Sequence, residues 1–130
     1  MLHITSLFAA LLALLIIFLA YKVSSFRRSK KIGIGDNGDK EGMLAIRVHA
    51  NAIENIPLLL ILMAVYEVNQ GSSMVLYVLG ALAVIARVMH AYGLSKSAGV
   101  TVGRFYGIAL TWIVIITLAV LNIYKFIIQI

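Results

Sequence analysis

The sequence predicts an all-α membrane protein, a bundle of four transmembrane helices, and three observations support this fold class. Hydrophobic residues make up 62% of the 130-residue chain, and the mean hydropathy is +1.02, whereas soluble domains are about half apolar. Four apolar stretches are each long enough to cross the bilayer, which takes about 20 helical residues. Most Lys and Arg residues lie between these stretches. We interpret residues 1–130 as a single domain.

The predicted spans cover approximately residues 2–23, 44–68, 74–94 and 105–128. Helices are expected because a strand exposed to lipid would leave backbone N–H and C=O groups unpaired. The first span is interpreted as a retained helix, since no Lys or Arg precedes it and its apolar run is longer than that of a typical signal peptide.

The loops differ in charge, and this difference predicts an orientation. Loop two, residues 69–73, has no Lys or Arg, and loop three, residues 95–104, has two. Loop one, residues 24–43, carries five basic residues: Arg27, Arg28, Lys30, Lys31 and Lys40. The positive-inside rule therefore places loops one and three in the cytoplasm. We expect a multi-pass protein of a bacterial inner membrane, in contact with membrane lipids.

Several classes of site are not expected. The net charge of +6 lies mainly between apolar runs, which favours a role in topology over nucleic-acid binding. The chain has no cysteine and its histidines are scattered, so neither disulfides nor a metal site is expected. The segment GIGDNG, residues 33–38, has dinucleotide-binding spacing, but no βαβ unit surrounds it. We interpret this segment as turns.

The strongest functional signal is RVHANAIENIP, residues 47–57, at the start of the second span. At 100° per residue, Arg47, Asn51 and Glu54 fall within about 60° on one helix face, while His49 projects elsewhere. Glu54 lies roughly 15 Å into the span at 1.5 Å per residue. A charge at such depth costs roughly 2.5–3.5 kcal/mol on insertion scales. An Arg47–Glu54 ion pair that only fixes packing is one explanation, and a polar ligand pocket is the favoured one.

A second polar motif is ARVMHAYG, residues 86–93, near the end of the third span. Arg87 and His90 are three residues apart and therefore share a helix face. They either snorkel toward the interface or contact a ligand. Tyr92 is interpreted as an interfacial anchor, and Pro57 as a kink in the second span.

The pattern R-x-H-x-N-x-x-E-N-x-P resembles the signature of the MAPEG family, the membrane-associated proteins in eicosanoid and glutathione metabolism, most closely its small bacterial members. The resemblance implies homotrimers with four helices per protomer. Catalytic members bind glutathione between protomers near the cytoplasmic side. They transfer its thiolate to lipophilic electrophiles, and some reduce lipid hydroperoxides.

The resemblance also implies roles for particular residues. Arg47, Asn51 and Glu54 match the glutathione-binding Arg, Asn and Glu of the family, while His49 stands where catalytic members often have Gln and Asn55 where a Tyr is frequent. The complete set expected to bind glutathione is Arg27, Arg28, Arg47, His49, Asn51, Glu54, Asn55, Arg87, His90 and Tyr92. Glutathione is expected as co-substrate, without a metal.

The residues expected to activate the thiol depart from the family pattern. In leukotriene-synthase-like members this role belongs to an Arg near the start of the fourth span. Thr101 aligns with that Arg, and Arg104 follows three residues later. The family's tyrosines on the third span align with His90 and Leu94. We assign Arg104 as the catalytic cation, with Arg87 as the next candidate.

Three hypotheses follow. The favoured one is a glutathione-dependent membrane transferase of a detoxifying kind, with peroxidase side activity toward lipophilic or lipid substrates. The second is a non-catalytic member that binds lipid or glutathione. The third is an assembly subunit whose polar face only joins protomers. Glutathione binding separates the third from the others, and thiol conjugation separates the first from the second.

Overall fold

The computed structural model describes residues 1–129, which form four α-helices: α1 (His3–Lys30), α2 (Lys40–Val68), α3 (Ser73–Lys96) and α4 (Val102–Gln129). Apart from Leu2, these helices contain the four predicted apolar stretches. Each helix is long and apolar enough to cross a membrane. The predicted all-α class with four spans is therefore confirmed, and the helices extend beyond the spans into polar flanks.

The helices pack in an order that places α2 and α3 at the centre of the bundle. The most extensive contact joins α3 and α4, and α1 packs mainly on α2. In residues 1–129, α1 and α4 make no direct contact. The core is built from fully buried apolar side chains on all four helices, among them Leu12, Ile56, Met63, Leu76 and Leu118. Because successive helices alternate in direction, α1 and α3 run the same way.

The bundle therefore has two ends, which we name by their loops. The loop-one end carries residues 31–39, between α1 and α2, and residues 97–101, between α3 and α4. The loop-two end carries residues 69–72 and the N-terminus. All candidate site residues lie in the half of the bundle nearer the loop-one end.

Loop one consists of turns, as the sequence analysis predicted for GIGDNG. Gly35 and Gly38 have φ angles of 74° and 76°, and Asn37 lies between them at 52°. These left-handed conformations favour glycine and asparagine, which the chain supplies. The Asp36 carboxylate accepts a hydrogen bond of 3.0 Å from the Gly38 amide, which is the local bonding that Asp makes in turns.

The start of α2 is fixed by Asp39, its N-cap residue. The Asp39 carboxylate accepts hydrogen bonds from the Glu41 amide at 2.8 Å and the Gly42 amide at 3.4 Å. Its other oxygen lies 3.3 Å from Lys30 Nζ, at the end of α1. These contacts hold the pKa of Asp39 below its ordinary value, chiefly through the Glu41 amide and then through Lys30. The cap thus sets where α2 begins and joins it to α1.

Candidate functional site

A buried arginine lies at the centre of the site. Arg87 of α3 has no exposed surface. Its Nη2 donates a 2.8 Å hydrogen bond to Asn51 Oδ1 on α2. Nε and Nη1 are buried without a hydrogen-bond partner among the described residues. Arg87 therefore does not snorkel, and that alternative from the sequence analysis is wrong. A buried guanidinium with unmet donors is costly, so this position favours an acceptor or an anion.

His90 lies one helical turn from Arg87 and is 3% exposed. Its Nδ1 is 3.5 Å from Arg87 Nη2. Since guanidinium nitrogens only donate, Nδ1 acts as the acceptor in this weak contact. The neutral imidazole then carries its proton on Nε2, which leaves one N–H donor for another group.

Three glycines bring α4 close enough to α3 to form the site. A Cβ on Gly107 would lie 2.5 Å from the His90 amide nitrogen and 2.7 Å from the Ala86 carbonyl oxygen. A Cβ on Gly103 would lie 2.9 Å from the Met89 carbonyl oxygen. One on Gly93 would collide with the Arg104 backbone nitrogen. The sequence analysis missed this contact, although Gly103-x-x-x-Gly107 has the spacing at which membrane helices pack closely.

Close packing of α3 on α4 leaves a small cavity at the loop-one end, which we call the polar cavity. Its volume is about 130 Å³, and its lining residues are Met43, Leu44, Arg47, Asn51, His90, Leu94, Ala98 and Arg104. Four predicted site residues, from α2, α3 and α4, therefore meet there. Arg87 lies behind this lining, bonded to Asn51 and in contact with His90. Two guanidinium groups, an amide and an imidazole in one cavity are suited to an anionic ligand.

Arg104 is held at the cavity by loop three. Its Nη1 donates hydrogen bonds to the Ala98 carbonyl at 2.6 Å and the Gly99 carbonyl at 3.1 Å. Its backbone amide donates to Thr101 Oγ1 at 3.2 Å. These contacts use one terminal nitrogen and fix the guanidinium in place. The structure thus positions the predicted catalytic cation beside Asn51 and His90, as part of the same lining.

A second group of predicted residues lies on a different side of α2. A cavity of about 220 Å³ between α1 and α2, the α1–α2 cavity, is lined by Arg27 and His49 together with Ser24. Arg27 Nε also donates to the Gly35 carbonyl at 3.2 Å, and Arg28 is exposed. The structure therefore does not bring Arg27 and His49 to the polar cavity. The separation of His49 from Arg47 on α2 follows from helical periodicity, whereas Arg27 lies on α1.

The remaining predicted residues of α2, Glu54 and Asn55, line neither cavity. Glu54 is exposed, and the predicted Arg47–Glu54 ion pair is wrong for residues 1–129 of one protomer, where the ion pair formed is Lys30–Asp39. Asn55 Nδ2 donates to its own helix, at the Asn51 carbonyl, at 2.9 Å.

Tyr92 points away from the polar cavity. Its side chain is 66% exposed, and Lys96 Nζ lies 5.0 Å from its ring centroid. Exposure near a helix end fits the interfacial role that the sequence analysis gave it. The structure does not place Tyr92 with the candidates for binding glutathione.

Comparison with known proteins extends these observations. Residues 5–124 match the MAPEG family. The chain is 30% identical over 121 residues to "Inner membrane protein YecN" of Escherichia coli strain K12, and the alignment covers 93% of this chain and 91% of that protein. The protein of the same name from Escherichia coli O6:H1 gives the same identity and coverage. Together with the four apolar helices, these matches identify a multi-pass integral membrane protein.

Proposed function

The chain belongs to the MAPEG family, and on this premise we propose that it binds glutathione at the loop-one end and transfers its thiolate to lipophilic electrophiles. The observation that carries this proposal is the polar cavity, where Arg47, Asn51, His90 and Arg104 converge in front of Arg87. Glutathione has two carboxylates, one ammonium and one thiol. The cavity's guanidinium and amide groups suit the carboxylates, and Glu54, which is exposed on α2 outside the cavity lining, would suit the ammonium.

The size of the polar cavity supports a site completed by a neighbouring protomer. Ligand pockets commonly measure roughly 300–1,000 Å³, whereas the polar cavity of one protomer holds about 130 Å³. The other glutathione-binding candidates, Arg27 and His49, face a different side of the protomer. A homotrimer in which the α1–α2 cavity of one copy meets the polar cavity of the next would join the two groups.

The exposed charges of α2 support assembly independently. Glu54 and Arg47 are exposed on a helix that crosses the membrane. A charged group facing lipid at depth costs roughly 2.5–3.5 kcal/mol. Coverage by another protomer and its bound ligand would remove this exposure.

We place loops one and three in the cytoplasm, where glutathione would enter the site.

The proposed chemistry begins with ionisation of the thiol. A free thiol has a pKa of about 8.5 and is only a few per cent ionised at neutral pH. The Arg104 guanidinium, fixed by loop three, would favour the thiolate, whose proton passes to solvent. The thiolate sulfur then attacks the electrophilic carbon, a C–S bond forms, and a leaving group such as chloride departs. With a hydroperoxide, two glutathiones give the alcohol, water and glutathione disulfide.

The test measures binding and ionisation separately in purified protein. Arg104→Ala should keep the glutathione dissociation constant within about tenfold, roughly 1.4 kcal/mol, and remove most of the thiolate absorbance in the ultraviolet near pH 7. Lys125→Ala is the control, since Lys125 donates to the Gln70 carbonyl at the loop-two end. A thiolate signal that survives in Arg104→Ala would contradict the role of Arg104, and Arg87 would then be tested.

A second candidate is a non-catalytic protein that binds lipid or glutathione. The observation that favours it is the bonding of Arg104, whose Nη1 already donates to two loop carbonyls. On this alternative the wild-type protein binds glutathione without a thiolate signal and does not conjugate a chloronitrobenzene. Absence of glutathione binding would leave a lipid-binding protein or the assembly role, and the mass of the detergent-solubilised complex tests the homotrimer directly.

A further inference from the structure

A groove between α1 and α3 lies apart from the polar cavity and has the form of a lipid site; Tyr92 is the one glutathione-binding candidate that lines it. Its volume is about 480 Å³, within the roughly 300–1,000 Å³ of typical ligand pockets. We call it the α1–α3 groove. It shares none of the polar cavity's lining residues, so its occupation does not depend on the proposed transferase function.

One wall of the groove is a stripe along α1. Leu15, Phe18, Leu19 and Lys22 line it, at the spacing i, i+3, i+4 and i+7 that places side chains on one helix face. Leu19 is buried, whereas Phe18 is 58% exposed. Since α1 runs toward loop one, the three apolar side chains lie deeper in the membrane and Lys22 lies nearest the loop-one end.

The opposite wall repeats this pattern on α3. Val88, Ala91, Tyr92 and Ser95 have the same spacing, and Lys96 follows at the loop-one end. Because α1 and α3 run in the same direction, both walls change from apolar to basic toward the same end. The two stripes cover eight and nine residues, so their ends lie about 10–12 Å apart at 1.5 Å per residue. The result is an apolar channel with a cation on each side of its mouth.

The two lysines have no acidic partner in the described part of the chain. The ion pair formed there joins Lys30 and Asp39. Lys22 shares an adjoining cavity with Glu41 but forms no ion pair with it. Lys96 stacks on the exposed ring of Tyr92, which leaves its ammonium at the mouth of the groove. The Ser95 hydroxyl donates to the Ala91 carbonyl at 2.7 Å, so the cationic donors available to an anion are the two lysines.

From this arrangement we propose that the α1–α3 groove binds one anionic phospholipid of the surrounding membrane. Its acyl chain lies between the apolar stripes, and its phosphate lies between Lys22 and Lys96. Two ammonium groups at the mouth complement a negative headgroup, and lysine side chains reach from apolar surroundings to the headgroup layer. A zwitterionic phospholipid offers the same acyl chains without net negative charge and should bind more weakly.

The first experiment tests the headgroup. Native mass spectrometry of detergent-purified protein counts adducts with phosphatidylglycerol and with phosphatidylcholine. Each of Lys22→Gln and Lys96→Gln should weaken phosphatidylglycerol binding about fivefold, the effect of one lysine near an anionic surface. The matched control is Lys31→Gln with Lys40→Gln, which removes two exposed charges outside the groove. If the control and the double variant Lys22→Gln, Lys96→Gln lost phosphatidylglycerol binding equally, the proposed site would be contradicted.

The second experiment tests the acyl chain and keeps both lysines. Val88→Trp places a large side chain in the groove and should abolish the saturable phosphatidylglycerol adduct, whereas Val78→Trp, on an exposed part of α3 outside the groove, should preserve it. An unchanged far-ultraviolet circular dichroism melt confirms that each variant folds. Undiminished phosphatidylglycerol binding in folded Val88→Trp, or equal wild-type binding of the two lipids, would contradict the proposal. The proposal would also be contradicted if wild type carried no lipid adduct and Val88→Trp formed a smaller assembly than wild type. That result would mean that a second copy of the chain covers the groove.

Discussion

Charged side chains are bonded differently at the two ends of the bundle. At the loop-two end, Glu67 of α2 accepts hydrogen bonds from the Ile4 amide at 2.9 Å and the Thr5 amide at 2.7 Å, at the start of α1. Lys125 of α4 donates to the Gln70 carbonyl at 2.9 Å. These charges occupy backbone groups that helix ends leave unpaired. At the loop-one end, Arg87 is more deeply buried and has two nitrogens without a partner.

This difference separates charges that serve the fold from charges available to a ligand. Glu67 and Lys125 each complete a helix end or loop, so the bundle itself explains them. Arg87 stabilises the bundle through Asn51 alone, and its remaining donors lie behind a cavity that also contains Arg47 and Arg104. The loop-two end also has buried polar atoms without a partner among the described residues, Thr5 Oγ1 and Asn122 Oδ1, but both belong to neutral side chains. The unpaired donors of Arg87 belong to a buried cation, so they favour an anionic acceptor outside the protomer. This difference favours the loop-one end as the place where a ligand binds, and it does so without reference to sequence similarity.

The largest expected effect concerns which end faces the cytoplasm. Since the chain lacks cysteine, single cysteines at Ser29, Ser97 and Ser72 report the two ends separately. In intact cells an impermeant thiol reagent should label Ser72→Cys and leave Ser29→Cys and Ser97→Cys unlabelled. All three should react after the membrane is permeabilised, which controls for accessibility. Labelling of Ser29→Cys in intact cells would reverse the orientation and separate the site from cytoplasmic glutathione.

The next effect tests whether close packing builds the loop-one end. Gly107→Val would press a branched side chain against the backbone of His90 and Ala86. Overpacking typically costs about 1–3 kcal/mol and occasionally more, and a backbone neighbour yields little, so the melting temperature should fall sharply. Gly33→Ala is the control, because nothing lies within 4 Å of its added Cβ. If Gly107→Val melted at the same temperature as wild type, α3 and α4 could separate without loss of stability.

The fold was more predictable from the sequence than the site, for a physical reason. Hydropathy over about 20 residues reports membrane span directly, so the four helices were expected. Helical periodicity correctly separated His49 from Arg47. It gave no information on contacts between helices, and therefore missed Arg87–Asn51, the glycines of α3 and α4, and the capping of α1 by Glu67. The alternative of an Arg47–Glu54 ion pair was wrong because seven residues separate the two side chains on one helix, about 10 Å along its axis at 1.5 Å per residue.

A smaller effect distinguishes the roles of the two ends. Glu67→Ala removes the acceptor of two α1 amides, and loss of a cap costs about 0.5–2 kcal/mol. It should lower the melting temperature and leave glutathione binding unchanged. Asn51→Ala removes the acceptor of Arg87 and should weaken glutathione binding by about tenfold, roughly 1.4 kcal/mol. Calorimetry measures glutathione binding and thermal melts measure stability, and both are made on the two variants. Weaker glutathione binding in Glu67→Ala, equal to that in Asn51→Ala, would remove the distinction between the ends.

The smallest expected effect tests the cap that holds the loop-one end together. The pKa of Asp39 is lowered in the folded protein by the Glu41 amide and by Lys30, so the folded state releases this proton more readily than the unfolded chain. Its stabilisation is therefore present above the unfolded value, near 3.8, and is lost as the pH falls through the lower folded value. Between pH 5 and pH 3 the melting temperature of wild type should fall more than that of Asp39→Asn, which retains an oxygen to cap α2 but cannot ionise. Asp36→Asn, in the same loop, is the control and should follow wild type. Parallel pH profiles for wild type and Asp39→Asn would mean that the Lys30–Asp39 contact and the charge of the cap contribute nothing measurable to stability.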